Sequence, residues 1–205
     1  VSNLAVFAYL VGCEKTKEAL VVDPADNIDL ILKEAERQNL TIQYIVNTHG
    51  HVDHIMGNKE AKEKTGAKIL IHEADAPLLQ NIPPMFLSFF SAKPSPPADV
   101  LLKGGDTITI GDISLSVIHT PGHSLGSICL YTDLHLFTGD LLFVGGVGRT
   151  DVPGGSWKTM MNSITEKVLT LPDETVILPG HNYGYAPTST VAREKASNPF
   201  IAGSA

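Results

Sequence analysis

Four groups that bind metal through nitrogen or oxygen, His49, His51, Asp53 and His54, fall within six residues. They stand in Thr48-His49-Gly50-His51-Val52-Asp53-His54, directly after the apolar run Ile42-Gln43-Tyr44-Ile45-Val46. An apolar run followed by a Gly-containing turn reads as a buried strand ending in a loop. The fold must therefore deliver this strand end to a place where a cation can sit. His49 and His51, two apart, can reach one ion from an extended segment. Asp53 and His54 open the next helix and can reach a second ion beside it. Imidazole and carboxylate suit zinc, iron or manganese, and no cysteine sits nearby to narrow the choice. Two histidines alone would pass for chance in a polar loop; three with an aspartate at this spacing read as a metal site.

Further ligands are offered at three other predicted strand ends. Thr120-Pro121-Gly122-His123 follows the strand Ser114–His119, Gly139-Asp140 follows Leu134–Thr138, and Gly180-His181 follows Thr175–Leu178. Each stands beside a glycine, which lets the backbone turn sharply and approach an ion. Loops at strand ends are where a rigid scaffold holds a site.

The remaining pattern is strands followed by helices, twice. Leu4–Val11 and Glu18–Val22 read as strands joined by the polar turn Glu14-Lys15-Thr16-Lys17. A helix capped by Asp26 or Asn27 runs to about Asn39, and a second runs from about Asp53 to Thr65, where Gly66 stops it. Lys68–His72 is a short strand and Glu73–Leu79 a short helix. Thr107–Ile110, Ser127–Tyr131 and Leu134–Phe137 are further strands, and Trp157–Leu169 carries a helical pattern. Two sheets packed face to face with helices outside is the layering this predicts. No linker divides residues 1–205, so a single domain is expected. Residues 81–98 hold five prolines among Phe86, Leu87, Phe89 and Phe90. This apolar loop is expected to be a lid, a contact surface or packing on the domain's own core, with 84–90 the stretch for any oligomer contact.

The order Thr-His-x-His-x-Asp-His, Thr-Pro-Gly-His, Gly-Asp and Pro-Gly-His resembles the metallo-β-lactamase superfamily over essentially the whole chain. The resemblance implies an α/β fold, an αββα four-layer sandwich with the site at one edge of the sheets. It implies that His49, His51 and His123 hold a first metal, that Asp53, His54 and His181 hold a second, and that Asp140 bridges them. Two divalent ions are expected, zinc first, with iron or manganese as alternatives. The segments Gly139-Asp140-Leu141-Leu142-Phe143, Gly146-Val147-Gly148-Arg149-Thr150-Asp151, Gly180-His181-Asn182-Tyr183 and Asn198-Pro199-Phe200 are similar to a short, glyoxalase II-like branch. That likeness implies a thioester hydrolase acting on carriers such as glutathione. Gly-Arg-Thr-Asp and Ser189-Thr190-Val191 are similar to segments of persulfide dioxygenases too, whose single iron would here be held by His49, His123 and Asp140. The sequence ends at residue 205 without the helical domain of full-length glyoxalase II, so a loosely gripped thiol is expected. Both branches often carry a cysteine where this chain has Val147.

In the hydrolase reading two ions share a hydroxide, because coordination brings the pKa of water from 15.7 to roughly 7. Asp53 is the candidate catalytic residue, orienting that hydroxide or taking its proton. Asp23 closes the strand Val21-Val22 and reads as a solvated turn residue; the resemblance favours a carboxylate that accepts a ligand histidine's other N–H. Arg149 either meets a substrate carboxylate or fixes its loop through Asp151, and Tyr183 is a further substrate-side candidate. His72, His119 and His135 lie away from the ligand pattern and are expected to be structural or surface residues. A metal-binding module without catalysis is the third reading, disfavoured because all seven ligand positions are filled.

Composition removes several classes. The chain is 43% hydrophobic and 18% charged, with a net charge of -7 and a pI near 5.5. That balance disfavours a nucleic-acid partner, which needs clustered Lys and Arg. The apolar run Leu4–Val11 is too short to span a bilayer and no basic region precedes it, so no membrane partner is expected. Cys13 and Cys129, far apart in apolar segments, read as buried free thiols of a cytoplasmic protein. No phosphate-loop or dinucleotide motif calls for an organic cofactor.

Overall fold

The computed structural model describes residues 4–89 and 93–202, apart from the side chain of Phe86. The first half runs β1 (Tyr9–Gly12), β2 (Glu18–Val22), α1 (Ile28–Arg37), β3 (Thr41–Val46), α2 (Val52–Ile55), α3 (Asn58–Thr65), β4 (Lys68–His72), a 3-10 turn (Ala76–Leu79), α4 (Pro84–Phe89) and β5 (Val100–Leu102). The second half runs β6 (Thr107–Ile110), β7 (Ile113–His119), β8 (Ile128–Thr132), β9 (His135–Gly139), β10 (Leu142–Phe143), β11 (Gly146–Val147), α5 (Trp157–Ser163) with a π-helical continuation (Ile164–Val168), β12 (Val176–Pro179), β13 (Ser189–Thr190) and α6 (Val191–Ser197).

One sheet has the order β1-β2-β3-β4-β5 and the other β13-β12-β9-β8-β7-β6, with β10 and β11 forming a separate small hairpin. Strand β2 shows why the apolar runs are continuous instead of alternating. Its Leu20 and Val22 enter a core between the sheets with Val46, Leu70, Leu115 and Leu130. Its Ala19 and Val21 face the other way, into a core that includes Ile28 and Ala35 of α1 and Ala61 of α3. A strand covered on both faces has no solvent side to mark with polar residues. A third core packs Leu136 and Ile177 of the second sheet against Met160, Ile164, Val168 and Val191. Each fully buried Leu or Ile contributes about 1.5–3 kcal/mol. These three cores hold the strand ends in place, and the architecture is the four-layer αββα sandwich.

Several elements differ from the sequence reading. The helix expected over Asp53–Thr65 is two helices, broken where Gly57 lies against the turn after β2; a Cβ there would stand 1.8 Å from the Pro24 carbonyl oxygen. The strand expected from Leu4 begins only at Tyr9, and Val6 instead forms an isolated bridge with His181. The helix Glu73–Leu79 shrinks to the 3-10 turn, which has a proline in its first positions. Inside the expected loop 81–98 lies α4, with Met85 and Phe89 71% and 78% exposed. Phe90, counted in that apolar stretch, and the side chain of Phe86 lie outside the described residues. Cys13 and Cys129 are buried and free. Among the described residues no helix is long and apolar enough to cross a membrane.

Candidate metal centre

Strand direction brings the ligands together. Strands β7 and β8 are antiparallel, as are β8 and β9, while β9 and β12 are parallel. Strands β7, β9 and β12 therefore point the same way, and His123, Asp140 and His181 follow their ends at one edge. The end of β3 is joined to this edge by the backbone bond from Ile128 N–H to the Thr48 carbonyl, 2.9 Å. Gly180 N–H closes the other side on the Gly139 carbonyl at 2.8 Å.

Two groups of ligands result. His49, His51 and His123 place their ligand atoms within 4.8 Å of one another, and so do Asp53, His54 and His181. In the first, His51 Nδ1 lies 2.8 Å from His123 Nε2. In the second, His54 Nε2 lies 3.1 Å from His181 Nε2, with Asp53 Oδ2 3.5 Å from the latter. Asp140 stands between them: Oδ1 is 3.3 Å from His54 Nε2, while Oδ2 is 3.3 Å from His181 Nε2 and 3.6 Å from His123 Nε2. All seven residues predicted as ligands thus converge.

The outer nitrogens of His49, His54, His123 and His181 are already engaged, as is usual for metal-binding histidines. His54 Nδ1 faces Asp23 Oδ2 at 2.9 Å, and Asp23 also accepts from Thr48 N–H (2.8 Å) and the Thr48 hydroxyl (2.6 Å). His49 Nδ1 lies 3.2 Å from that hydroxyl. His123 Nδ1 donates to the Arg149 carbonyl and His181 Nδ1 to the Leu4 carbonyl, both at 2.8 Å. What remains points inward without a partner. His49 Nε2 and Asp140 Oδ1 are buried atoms that make no hydrogen bond. An unpaired buried polar atom is costly, and imidazole nitrogens facing each other at contact distance add to the cost. Coordination to a cation removes both penalties, and five imidazoles with two carboxylates fit a zinc, iron or manganese ion.

Electrostatics separate the two groups. Burial, then the neighbouring His54, holds His49 well below its ordinary pKa. Burial and His123 bring His51 down to about 4. For His54 burial pulls downward, but Asp140 and Asp23 outweigh it and raise the pKa well above normal. For His181 burial is likewise outweighed by Asp140 and Asp53, and the pKa rises to about 9. Burial pushes Asp140 up, yet the His54 charge and the His181 hydrogen bond hold it well below the carboxylate range. Asp53 is lowered in the same way, with His181 and His54 overcoming burial.

The other candidates fall into place around this centre. Asp23 is 1% exposed and holds His54 and Thr48 together; it is not a solvated turn residue. Arg149 grips Asp151 through two bonds of 2.7 and 2.8 Å with both side chains exposed. Tyr183 stacks on His181, ring centroids 4.5 Å apart, and meets Phe143 edge-on at 5.5 Å. His72 and His119 stack on each other at 4.0 Å, outside the ligand groups, and His135 is exposed beside the Asp133 carbonyl. Sequence reasoning missed Thr48 and the Leu4 carbonyl. Thr48 stood in the motif as a signal; a backbone carbonyl leaves none.

Comparison with known proteins agrees with this geometry. The sequence family described as the metallo-beta-lactamase superfamily matches residues 1–181. The chain is 32% identical over 194 residues to the hydroxyacylglutathione hydrolase GloC of Haemophilus influenzae, covering 90% of this chain and 88% of that one. It is 34% identical over 201 residues to the mitochondrial persulfide dioxygenase ETHE1 of Homo sapiens, covering 95% and 71%. The crystal structure of TTHA1623 in a di-iron-bound form superposes with a TM-score of 0.85 at 30% identity, covering 98% of each chain. By sequence over almost its whole length, and by a fold that gathers histidines and aspartates at one sheet edge, the chain belongs to the metallo-β-lactamase superfamily.

Proposed function

We propose that the protein is a two-metal hydrolase of small thioesters of the hydroxyacylglutathione kind. The observation that carries this reading is the second ligand group, with His54 Nε2 and His181 Nε2 3.1 Å apart and Asp140 between them and the first group. A single-iron oxygenase needs only His49, His123 and Asp140 and leaves Asp53, His54 and His181 without a task. The relative named as a hydroxyacylglutathione hydrolase supports the substrate class.

His49, His51 and His123 would hold one ion and Asp53, His54 and His181 a second, and such ions would make a hydroxide available at neutral pH and polarise a carbonyl. Within the second group Asp53 is the ligand most open to solvent, its side chain 17% exposed against 0% and 2% for His54 and His181. Its carboxylate, held ionised, orients the attacking water and can take a proton at Oδ2. The leaving thiolate needs no strong acid. Tyr183 flanks the centre with its ring on His181. Burial, then Asp140 and Asp53, raises its pKa, so its hydroxyl stays protonated and offers a hydrogen bond to the substrate.

The test pairs metal analysis of protein purified without added metal with two assays. These are kcat/KM for lactoylglutathione against a lactoyl thioester of a smaller thiol, and oxygen uptake on glutathione persulfide. Thioester turnover with two ions per chain is expected. Brisk oxygen consumption by the iron-loaded protein without thioester turnover would transfer the proposal to the persulfide dioxygenase, the activity named for the human relative.

A further inference from the structure

Beyond the ligands, one buried carboxylate ties together the two loops that carry the first histidine group. Asp75 is 1% exposed and immediately precedes the 3-10 turn Ala76–Leu79. Its Oδ2 accepts from Gly50 N–H at 2.9 Å and from the Ser124 hydroxyl at 2.6 Å, and its Oδ1 accepts from Gly126 N–H at 2.7 Å. Gly50 lies between His49 and His51, while Ser124 follows His123. The two loops come from different sheets, after β3 and after β7.

Asp75 is itself fixed, its N–H bonded to the His72 carbonyl at 3.0 Å and its carbonyl to Leu78 N–H at 2.9 Å. Both loops press on this turn where no side chain fits. A Cβ on Gly50 would lie 2.6 Å from Leu78 Cβ, and one on Gly126 would lie 2.6 Å from Asp75 N. A buried charge that loses its donors costs far more than a neutral group does. The carboxylate therefore penalises any arrangement in which the His51 and His123 loops part. The second ligand group is held by other means, Asp23 on His54 and the Leu4 carbonyl on His181.

We propose that Asp75 is a positioning residue that makes His49, His51 and His123 one preformed site. It sets the metal affinity of that site and not of its neighbour. The proposal rests on reading this triad as a metal site.

Metal-free protein is titrated with cobalt or zinc in competition with a chromophoric chelator. The binding step of the first triad is the one abolished by His51→Ala; that of the second is abolished by His181→Ala. Asp75→Asn turns an amide donor toward groups that are themselves donors, and should weaken the first step about tenfold, as changes just outside a ligand set do. The second step should stay as in the wild type. Ser124→Ala removes one donor and keeps the carboxylate, and should weaken the same step by less. Equal weakening of both steps overturns the proposal. So does an unchanged first step in either variant, even if Tm falls. If Asp75→Asn does not fold, Ser124→Ala decides by the same criteria. A wild-type protein lacking any step that His51→Ala removes would instead refute the metal reading of the triad.

Discussion

Asp140 is the side chain whose oxygens reach toward both histidine groups. Asp140→Asn removes charge from both at once, so metal content and activity should fall together, activity by more than about 100-fold, the upper end for changes one layer further out. Full occupancy with normal turnover, read by metal analysis and steady-state assay, would disprove its place between two ions. Asp23→Asn should act more gently, about 10–100-fold in metal affinity or activity. Asp23 has φ 47°, a left-handed conformation that asparagine adopts readily, so the variant tests the carboxylate charge without straining the backbone. At this scale the convergence of the seven candidate ligands was legible because histidine and aspartate after a strand and beside a glycine have few other reasons to recur. Asp23 was half legible, since one acid after a strand is ordinary. Asp75 was not legible at all, because its donors are two backbone amides and a serine brought together only by folding.

Elements were legible where burial writes a long pattern. Strands β2, β3 and β7 carry enough apolar residues to be read directly, whereas β10 and β11, two residues each, are too short to show a period. Their hairpin is secured from a distance. Glu194 on α6 is fully buried and accepts from Gly145 N–H at 3.0 Å, from the Ser189 hydroxyl at 2.5 Å and from Asn198 Nδ2 at 2.7 Å. Asn198 Nδ2 also donates to the Gly146 carbonyl at 3.1 Å. Glu194→Ala leaves buried donors unsatisfied and should cost about 3 kcal/mol. Urea unfolding of the metal-saturated protein measures this, and a loss below about 0.5 kcal/mol, the scale of an ordinary surface change, would mean the carboxylate does not organise the hairpin.

For the whole molecule, the layering followed from the repeated succession of strands and helices, while the crossing of the N-terminal segment to the second sheet did not. Its stability without metal should depend on pH in a defined way. His181 titrates near 9 in the fold, above the ordinary value near 6.5. Its contribution is complete below about pH 6.5 and is lost as pH rises through about 9. His51 titrates near 4, so its unfolded form gains a proton first and stability falls as pH drops from about 6.5 toward 4. Chelator-treated protein should therefore have its highest Tm near pH 6.5, declining on either side. A Tm that climbs steadily from pH 6.5 to 9 would contradict this. Zinc added at pH 7 must displace the protons of His54 and His181, so calorimetry in buffers of different ionisation enthalpy should record proton release.

The bond from His181 Nδ1 to the Leu4 carbonyl spans 177 positions of the chain. Contacts of such separation form late, because closing so long a loop costs entropy that only the rest of the fold can offset. A chain still emerging from the ribosome can bring His49, His51 and His54 together but has neither His181 nor the crossing that orients it. Complete metal loading should thus be among the last events of maturation, so that occupancy of the second group reports whether a molecule has finished folding.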